Sequence, residues 1–192
     1  MMELQKIPVI LAFNKLDLGD AEMAEKYRKI YETAGYQTCF ISAGQGEGIE
    51  EMRKILRGKT TVLAGPSGVG KSTLTNCLCP QASMETGDIS KKIQRGKHTT
   101  RHSQLFFIEK DTYLMDTPGF SSMFSPELEP GELKDCFPEF APYEDQCRFL
   151  GCVHIGEREC GVKTALEQGE LSQSRYENYR LIYEEVKGKR RY

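Results

Sequence analysis

Short continuous apolar runs alternate with segments whose apolar residues recur every three to four positions. Pro8–Phe13 (PVILAF), Gln37–Ile41 and Thr60–Ala64 read as strands. Between the first two, Met23, Tyr27, Ile30, Tyr31 and Ala34 fall at helical spacing. Ile49, Met52, Ile55 and Leu56 mark one face of a shorter helix. The third strand runs into a glycine-rich turn and a helix that starts near Lys71. Leu105–Ile108 and Tyr113–Met115 flank a polar turn and predict a hairpin at a sheet edge. Strands alternating with helices predict an α/β fold built on a mostly parallel sheet with helices on both faces.

The pattern changes after about Ser125. PELEPGELKDCFPEFAPYEDQ is rich in proline and acid and has no sustained periodicity, so it reads as a linker or an irregular lobe. Two short helices are predicted beyond it, near Val162–Gln168 and from Ser172 to Val186. In the second, Tyr176, Tyr179, Tyr183 and Val186 share a face, which reads as core or as a surface for a partner. The expected division is residues 1–126 as one domain and 127–192 as a small, mostly helical one.

Composition adds limits rather than identity. With 39% hydrophobic and 28% charged residues the chain is ordinary globular material. A net charge of −2 gives no global attraction to nucleic acid, although residues 1–126 are slightly basic and 127–192 acidic. No run approaches the roughly 18 apolar residues of a membrane span. The start MMELQKIPVI lacks a signal peptide's apolar core, so a cytoplasmic location is expected. Of seven cysteines, three crowd between Cys147 and Cys160 with a histidine among them. In a reducing compartment that clustering favours a metal over disulfides.

Gly65, Pro66, Ser67, Gly68, Val69, Gly70, Lys71 and Ser72 fit G-x-x-x-x-G-K-[ST] without a mismatch, and Thr73 extends the set. Glycines let consecutive backbone N–H groups face phosphate oxygens. Lys71 would reach the β- and γ-phosphates, and Ser72 would hold Mg²⁺. A strand enters this turn and a helix N-terminus follows, which suits anion binding. The loop alone specifies a nucleoside triphosphate, not its base.

Asn14, Lys15, Leu16 and Asp17 (NKLD) follow the strand PVILAF. In such an element the aspartate accepts two hydrogen bonds from guanine, and adenine would leave that acid unsatisfied. The asparagine can bond the base and tie loops together. Ser42 and Ala43 end the second strand, where a backbone N–H can meet guanine O6. Asp116-Thr117-Pro118-Gly119 follows the strand YLM: Asp116 would contact Mg²⁺ through water, and the Gly119 N–H would meet the γ-phosphate. A plain Pro-Gly turn is the structural alternative. Lys91, Lys92, Arg95, Lys97 and Arg101 surround His98, Thr99 and Thr100 in a stretch without acids. That stretch is either a solvated face or a mobile loop whose cations meet RNA phosphate.

Ordinary GTPases read phosphate loop, switch threonine, DxxG, NKxD, SA; this chain reads NKLD, SA, GPSGVGKS, HTT, DTPG. That order resembles a circular permutation. Together with Cys147-x4-Cys152-x-His154-x5-Cys160, it closely resembles the bacterial ribosome small-subunit-dependent GTPase family. The resemblance implies a circularly permuted P-loop GTPase domain followed by a zinc lobe. It implies Mg²⁺-dependent hydrolysis of GTP, the small ribosomal subunit and its rRNA as partners, and a monomer. By motif, Lys71 and Ser72 are the phosphate-loop lysine and magnesium ligand, and Thr100 is the second magnesium ligand. Phe120 stands where other GTPases place a water-orienting glutamine, which points to His98 for that role, with His102 in reserve. On the same resemblance the sequence is expected to lack the family's N-terminal RNA-binding OB barrel and the first strand and helix of the GTPase domain. A non-hydrolysing GTP-dependent RNA- or protein-binding module is the alternative from another class.

Cys147, Cys152, His154 and Cys160 supply the Cys₃His donors of closed structural zinc sites. Such a site would staple a lobe too small for its own core. Free buried cysteines or a disulfide are the alternatives. Cys39, Cys77, Cys79 and Cys136 read as packing residues.

Overall fold

The computed structural model describes residues 2–83, 104–117 and 128–189. Its elements run β1 (Ile10–Phe13), α1 (Ala21–Thr33), β2 (Gln37–Phe40), α2 (Ile49–Leu56), β3 (Thr60–Leu63), α3 (Lys71–Leu78), β4 (Gln104–Glu109) and β5 (Thr112–Asp116). Two 3₁₀ turns, Pro130–Cys136 and Pro138–Phe140, lead into α4 (Ala141–Glu144), α5 (Gly161–Glu167) and α6 (Gln173–Lys189). No helix among the described residues is long and apolar enough to cross a membrane.

The chain forms two compact units, neither of them contiguous in sequence. One comprises Ala12–Ala24 and Cys39–Met123; the other gathers Met1–Leu11, Glu25–Thr38 and Phe124–Tyr192. In the first unit, β3 pairs parallel with β5, and β5 pairs antiparallel with β4, giving the order β3-β5-β4. The antiparallel pair is the expected hairpin. Among the described residues β1 and β2 form a separate two-stranded sheet. Leu114 and Thr112 of β5 are buried on one face, while Val62, Leu105 and Phe107 on the other are about half exposed, at 52%, 54% and 53%. The register sets Leu63 against Asp116. Parallel strands leave a sheet at the same edge, so the C-terminal ends of β3 and β5 lie side by side.

α2 forms where its spacing predicts, with Ile49, Met52 and Leu56 buried. Glu50 and Glu51 lie in its first turn and Arg53 and Lys54 in its last, as the helix dipole prefers. Arg53 Nη2 donates to the Cys77 carbonyl near the end of α3 at 2.7 Å, satisfying a carbonyl that the helix end leaves open. Cys39 and Cys79 are buried as expected of packing residues, and Cys77 and Cys136 are half-buried.

In the second unit the proline-rich stretch is not a free linker. Pro130, Pro138 and Pro142 each stand at the first positions of a helical turn, where a missing N–H costs nothing. Glu129 and Glu132 close a reciprocal capping box on the first turn. Irregular periodicity concealed a real core: Leu133, Phe137 and Phe140 from these turns pack with Val162, Tyr176 and Tyr179. The Phe140 and Tyr179 rings meet edge-on at 5.0 Å. The aromatic stripe of α6 is therefore core, with Tyr176 6% and Tyr179 0% exposed. Beside it, Arg175 forks onto buried Glu139 at 2.5 and 2.9 Å. Its guanidinium also lies over Tyr31, Tyr36 and Phe137 at 5.6, 5.4 and 5.1 Å. Burial works against that charge, but Glu139 holds it above its usual range. Burial and Glu3 push the neighbouring Tyr36 phenol up to about 12.

Candidate functional site

Two clusters carry chemistry, one in each unit. The first is built from loops that leave β1, β2, β3 and β5. After β1, Lys15 takes a left-handed conformation (φ 69°) and Leu16–Leu18 closes a short 3₁₀ turn. The Leu16 N–H bonds the Ile41 carbonyl at 3.1 Å, and the Ile41 N–H bonds the Phe13 carbonyl at 2.9 Å. The Phe13 and Phe40 rings stack at 4.8 Å. These contacts hold the NKLD turn against the Ser42-Ala43 turn.

Asn14 is the hub. Its Oδ1 accepts the Ala43 N–H at 3.0 Å and the Lys15 N–H at 2.8 Å, while its Nδ2 donates to the Val69 carbonyl at 2.9 Å. One amide thus ties the NKLD, Ser-Ala and phosphate loops together. Asp17 accepts the Ser42 hydroxyl, and Ser42 and Ala43 are buried. The close approach of Asn14 also explains a glycine. Gly70 sits at φ 96°, and a Cβ there would meet Asn14 Nδ2 at 2.2 Å.

Lys71 opens α3 and folds back over its own loop. Its ammonium donates to the Gly65 carbonyl at 2.7 Å and the Pro66 carbonyl at 2.9 Å. Gly65 is buried, residues 66–69 are exposed, and Ser72 and Thr73 are half-buried in the first helical turn. Thr75 Oγ1 bonds the Lys71 carbonyl at 3.0 Å. Across the sheet, the Thr117 hydroxyl donates to the Leu63 carbonyl at 2.6 Å, pinning the strand end that carries Asp116. Asp116 is buried and its Oδ1 has no hydrogen-bond partner. Burial pushes this carboxyl up, with the Lys71 ammonium pulling the other way, and burial pushes Lys71 down. A buried, orphaned carboxylate oxygen beside a phosphate-type loop is what a hydrated divalent cation would satisfy. The donors therefore fit Mg²⁺. His98, Thr99, Thr100, His102, Gly119 and Phe120 lie outside the described residues.

The second cluster is in the C-terminal lobe. The ligand atoms of Cys147, Cys152, His154 and Cys160 all lie within 4.8 Å of one another. Cys147 Sγ is 3.9 Å from Cys160 Sγ, and His154 Nδ1 is 3.7 Å from Cys147 Sγ and 3.4 Å from Cys160 Sγ. A tetrahedral zinc with ordinary bond lengths sets S···S at about 3.8 Å and S···N at about 3.6 Å. The donor set and its spacing fit one such ion. Burial pushes the Cys152 thiol up to about 12 and raises Cys160 as well. Crowded, desolvated thiols resist ionisation unless a cation compensates them.

What surrounds these four side chains was not legible as function in the sequence. Tyr176 Oη donates to the His154 carbonyl and Tyr179 Oη to the Val153 carbonyl, each at 2.6 Å. Glu157 accepts the Val153 N–H at 2.7 Å and the Ile155 N–H at 2.9 Å. Gly161 packs so closely that a Cβ would lie 2.2 Å from the Tyr143 carbonyl, so only glycine lets the residue after Cys160 approach the segment before Cys147. The stripe on α6 thus has two jobs, and the only signal was tyrosine where phenylalanine would have filled the core.

Comparison with known proteins decides the family. The RsgA GTPase family profile matches residues 1–125. The chain belongs to the RsgA GTPase family. A curated relative from Agathobacter rectalis, named small ribosomal subunit biogenesis GTPase RsgA, is 55% identical over all 192 residues, which span 64% of that relative. A relative of the same name from Alkaliphilus metalliredigens is 50% identical and is covered over 66% of its length. Among solved structures, YjeQ from Thermotoga maritima superposes with a TM-score of 0.73 at 38% identity, over 97% of this chain and 63% of that one. YloQ, described as a circularly permuted GTPase, gives 0.76 at 32% identity, over 98% of this chain and 60% of its own. The fold of this RsgA-family chain is that of a circularly permuted GTPase, and it spans about two thirds of the relatives it matches.

Proposed function

We propose that this chain binds GTP and hydrolyses it to GDP and phosphate, and that it acts in late maturation of the small ribosomal subunit. The observation that carries the reading is the Asn14 hub. A guanine-type NKLD turn bonded directly to the phosphate loop through Nδ2 and Val69 supports binding of base and phosphates in one cradle. Asp17 would take the guanine edge, with Lys15 flanking the base and the Ala43 N–H near O6. Gly65 through Thr73 would wrap the phosphates.

Binding asks little rearrangement of Lys71. Its ammonium already sits over the loop on two carbonyls, and phosphate oxygens would replace them. Mg²⁺, when bound, supplies positive charge to the phosphates; Ser72 and Thr100 would hold it, and Asp116 would reach it through water. In hydrolysis a water oxygen bonds to the γ-phosphorus as the bond to the bridging oxygen breaks. GDP leaves with that electron pair, and both protons of the water end on the phosphate product. Lys71 and the loop N–H groups, including that of Gly119, stabilise the spreading negative charge. His98 is the residue proposed to orient the water. Cys147, Cys152, His154 and Cys160 would hold one structural zinc, closed to catalysis because every position is filled by protein. The basic segment around His98 is the proposed contact to rRNA, and the relatives' names support the small subunit as partner.

The test is phosphate release from GTP with and without small ribosomal subunits, beside Lys71→Ala. Release above that control, rising with subunits and resisting excess ATP, is expected. Release no greater than the control would reduce the chain to a GTP-dependent binding module. Equal competition by ATP would refute the guanine assignment.

A further inference from the structure

Only one nitrogen of His154 faces the thiols. Nδ1 lies 3.7 Å from Cys147 Sγ and 3.4 Å from Cys160 Sγ. Nε2 meets Glu144 Oε1 instead, at 3.4 Å. The other oxygen of that carboxylate, Oε2, accepts Lys134 Nζ at 2.9 Å. A neutral imidazole has one N–H and one lone pair, and an ionised carboxylate can only accept. The Nε2–Glu144 contact is satisfied with the proton on Nε2, which leaves the lone pair on Nδ1 among the sulfurs.

The ring is held from other sides as well. It is fully buried, with the Phe140 ring edge-on at 5.6 Å. Its backbone φ is positive (58°), uncommon for a residue other than glycine, and its carbonyl is held by Tyr176. A ring so confined cannot exchange one nitrogen for the other without displacing its neighbours. Both charged residues come from the stretch whose sequence reads as linker: Lys134 from the turn Pro130–Cys136, and Glu144 from the end of α4. The pairing also has an electrostatic logic. Three thiolates and one divalent ion already carry a net negative charge, so an unpaired carboxylate beside them would be repelled. Lys134 offsets that charge.

We propose that Glu144, braced by Lys134, is a positioning residue of the metal centre that commits Nδ1 of His154 to the ion. This rests on the metal-binding reading above and adds two residues outside the four ligands. Carboxylates that orient a metal-bound histidine typically contribute about 10–100-fold to metal affinity.

The test uses the full chain loaded with one equivalent of Zn²⁺ or Co²⁺. In the wild-type protein, ¹⁵N-histidine NMR is expected to show metal on Nδ1 and a proton on Nε2. In Glu144→Ala, Zn²⁺ affinity measured against a chelator is expected to fall by about 10–100-fold. Glu144→Gln, whose amide oxygen can still accept, is expected to recover most of that loss. The cobalt–thiolate charge-transfer band should persist in both variants, because the cysteines are untouched. Metal on Nε2 in the wild type, or affinities in both variants within about threefold of wild type, would overturn the proposal. A role confined to folding would lower the melting temperature yet leave affinity and tautomer unchanged, which also overturns it. Should Glu144→Ala not fold, the wild-type spectrum decides. A wild-type chain with neither a stoichiometric ion nor a thiolate band would instead refute the metal reading itself.

Discussion

Replacing Gly70 with alanine tests the Asn14 hub directly. At φ 96° an L-residue adds strain of about 1–2 kcal/mol, and the new methyl group would lie 2.2 Å from Asn14 Nδ2. Asn14 must swing away and gives up its bond to the Val69 carbonyl, weakening those to Ala43 and Lys15. At about 1 kcal/mol per net hydrogen bond, and discounting for solvent access to this partly exposed network, the expected total loss is about 2–4 kcal/mol. Asn14→Ala alone should cost about 1–3 kcal/mol from the same bonds. The decisive measurement is the double-mutant cycle in urea unfolding without nucleotide, with fluorescent-GDP affinity as a second readout. If the methyl group acts by displacing Asn14, the second substitution adds little, and a coupling of about 1–2 kcal/mol appears. Gly156→Ala, where a Cβ meets nothing within 4 Å, serves as control. Additivity within about 0.5 kcal/mol would show that Asn14 and Gly70 do not communicate, and would remove the link from base loop to phosphate loop.

Asp116→Asn should raise the melting temperature of the nucleotide-free protein while weakening Mg²⁺-dependent GTP binding by about tenfold or more. The folded state holds the Asp116 proton more tightly than the unfolded state, so this group lowers stability as pH rises through the carboxylate range. A pH series should show that component missing from the Asn variant; a destabilised variant would contradict the buried-charge reading. Arg175→Ala should cost about 3–5 kcal/mol in thermal or urea unfolding, because it strands the Glu139 carboxylate in the core. Adding Glu139→Gln should recover part of the loss, and no recovery would argue that aromatic packing dominates. Tyr179→Phe should cost about 1–3 kcal/mol by leaving the Val153 carbonyl unpaired. Hydrogen exchange should quicken in residues 152–157 and not in the phosphate loop; uniform quickening would count against a local role.

Contiguous motifs were legible in the sequence alone. GPSGVGKS, NKLD and the Cys-x4-Cys-x-His-x5-Cys spacing each fall within a stretch of at most fourteen residues, and such local patterns need no knowledge of the fold. The helical and strand segments with regular periodicity were legible for the same reason. Tertiary structure decided what depends on distant partners. It joined Asn14 to Val69, set Leu63 beside Asp116, and bonded the tyrosines of α6 to the Val153 and His154 carbonyls. It also turned a proline-rich stretch into core and into the Lys134–Glu144 clamp on His154. The difference is physical. A motif's spacing is fixed by covalent chain geometry, whereas a carboxylate's role depends on which group packing brings against it, and that pairing leaves no trace in the spacing.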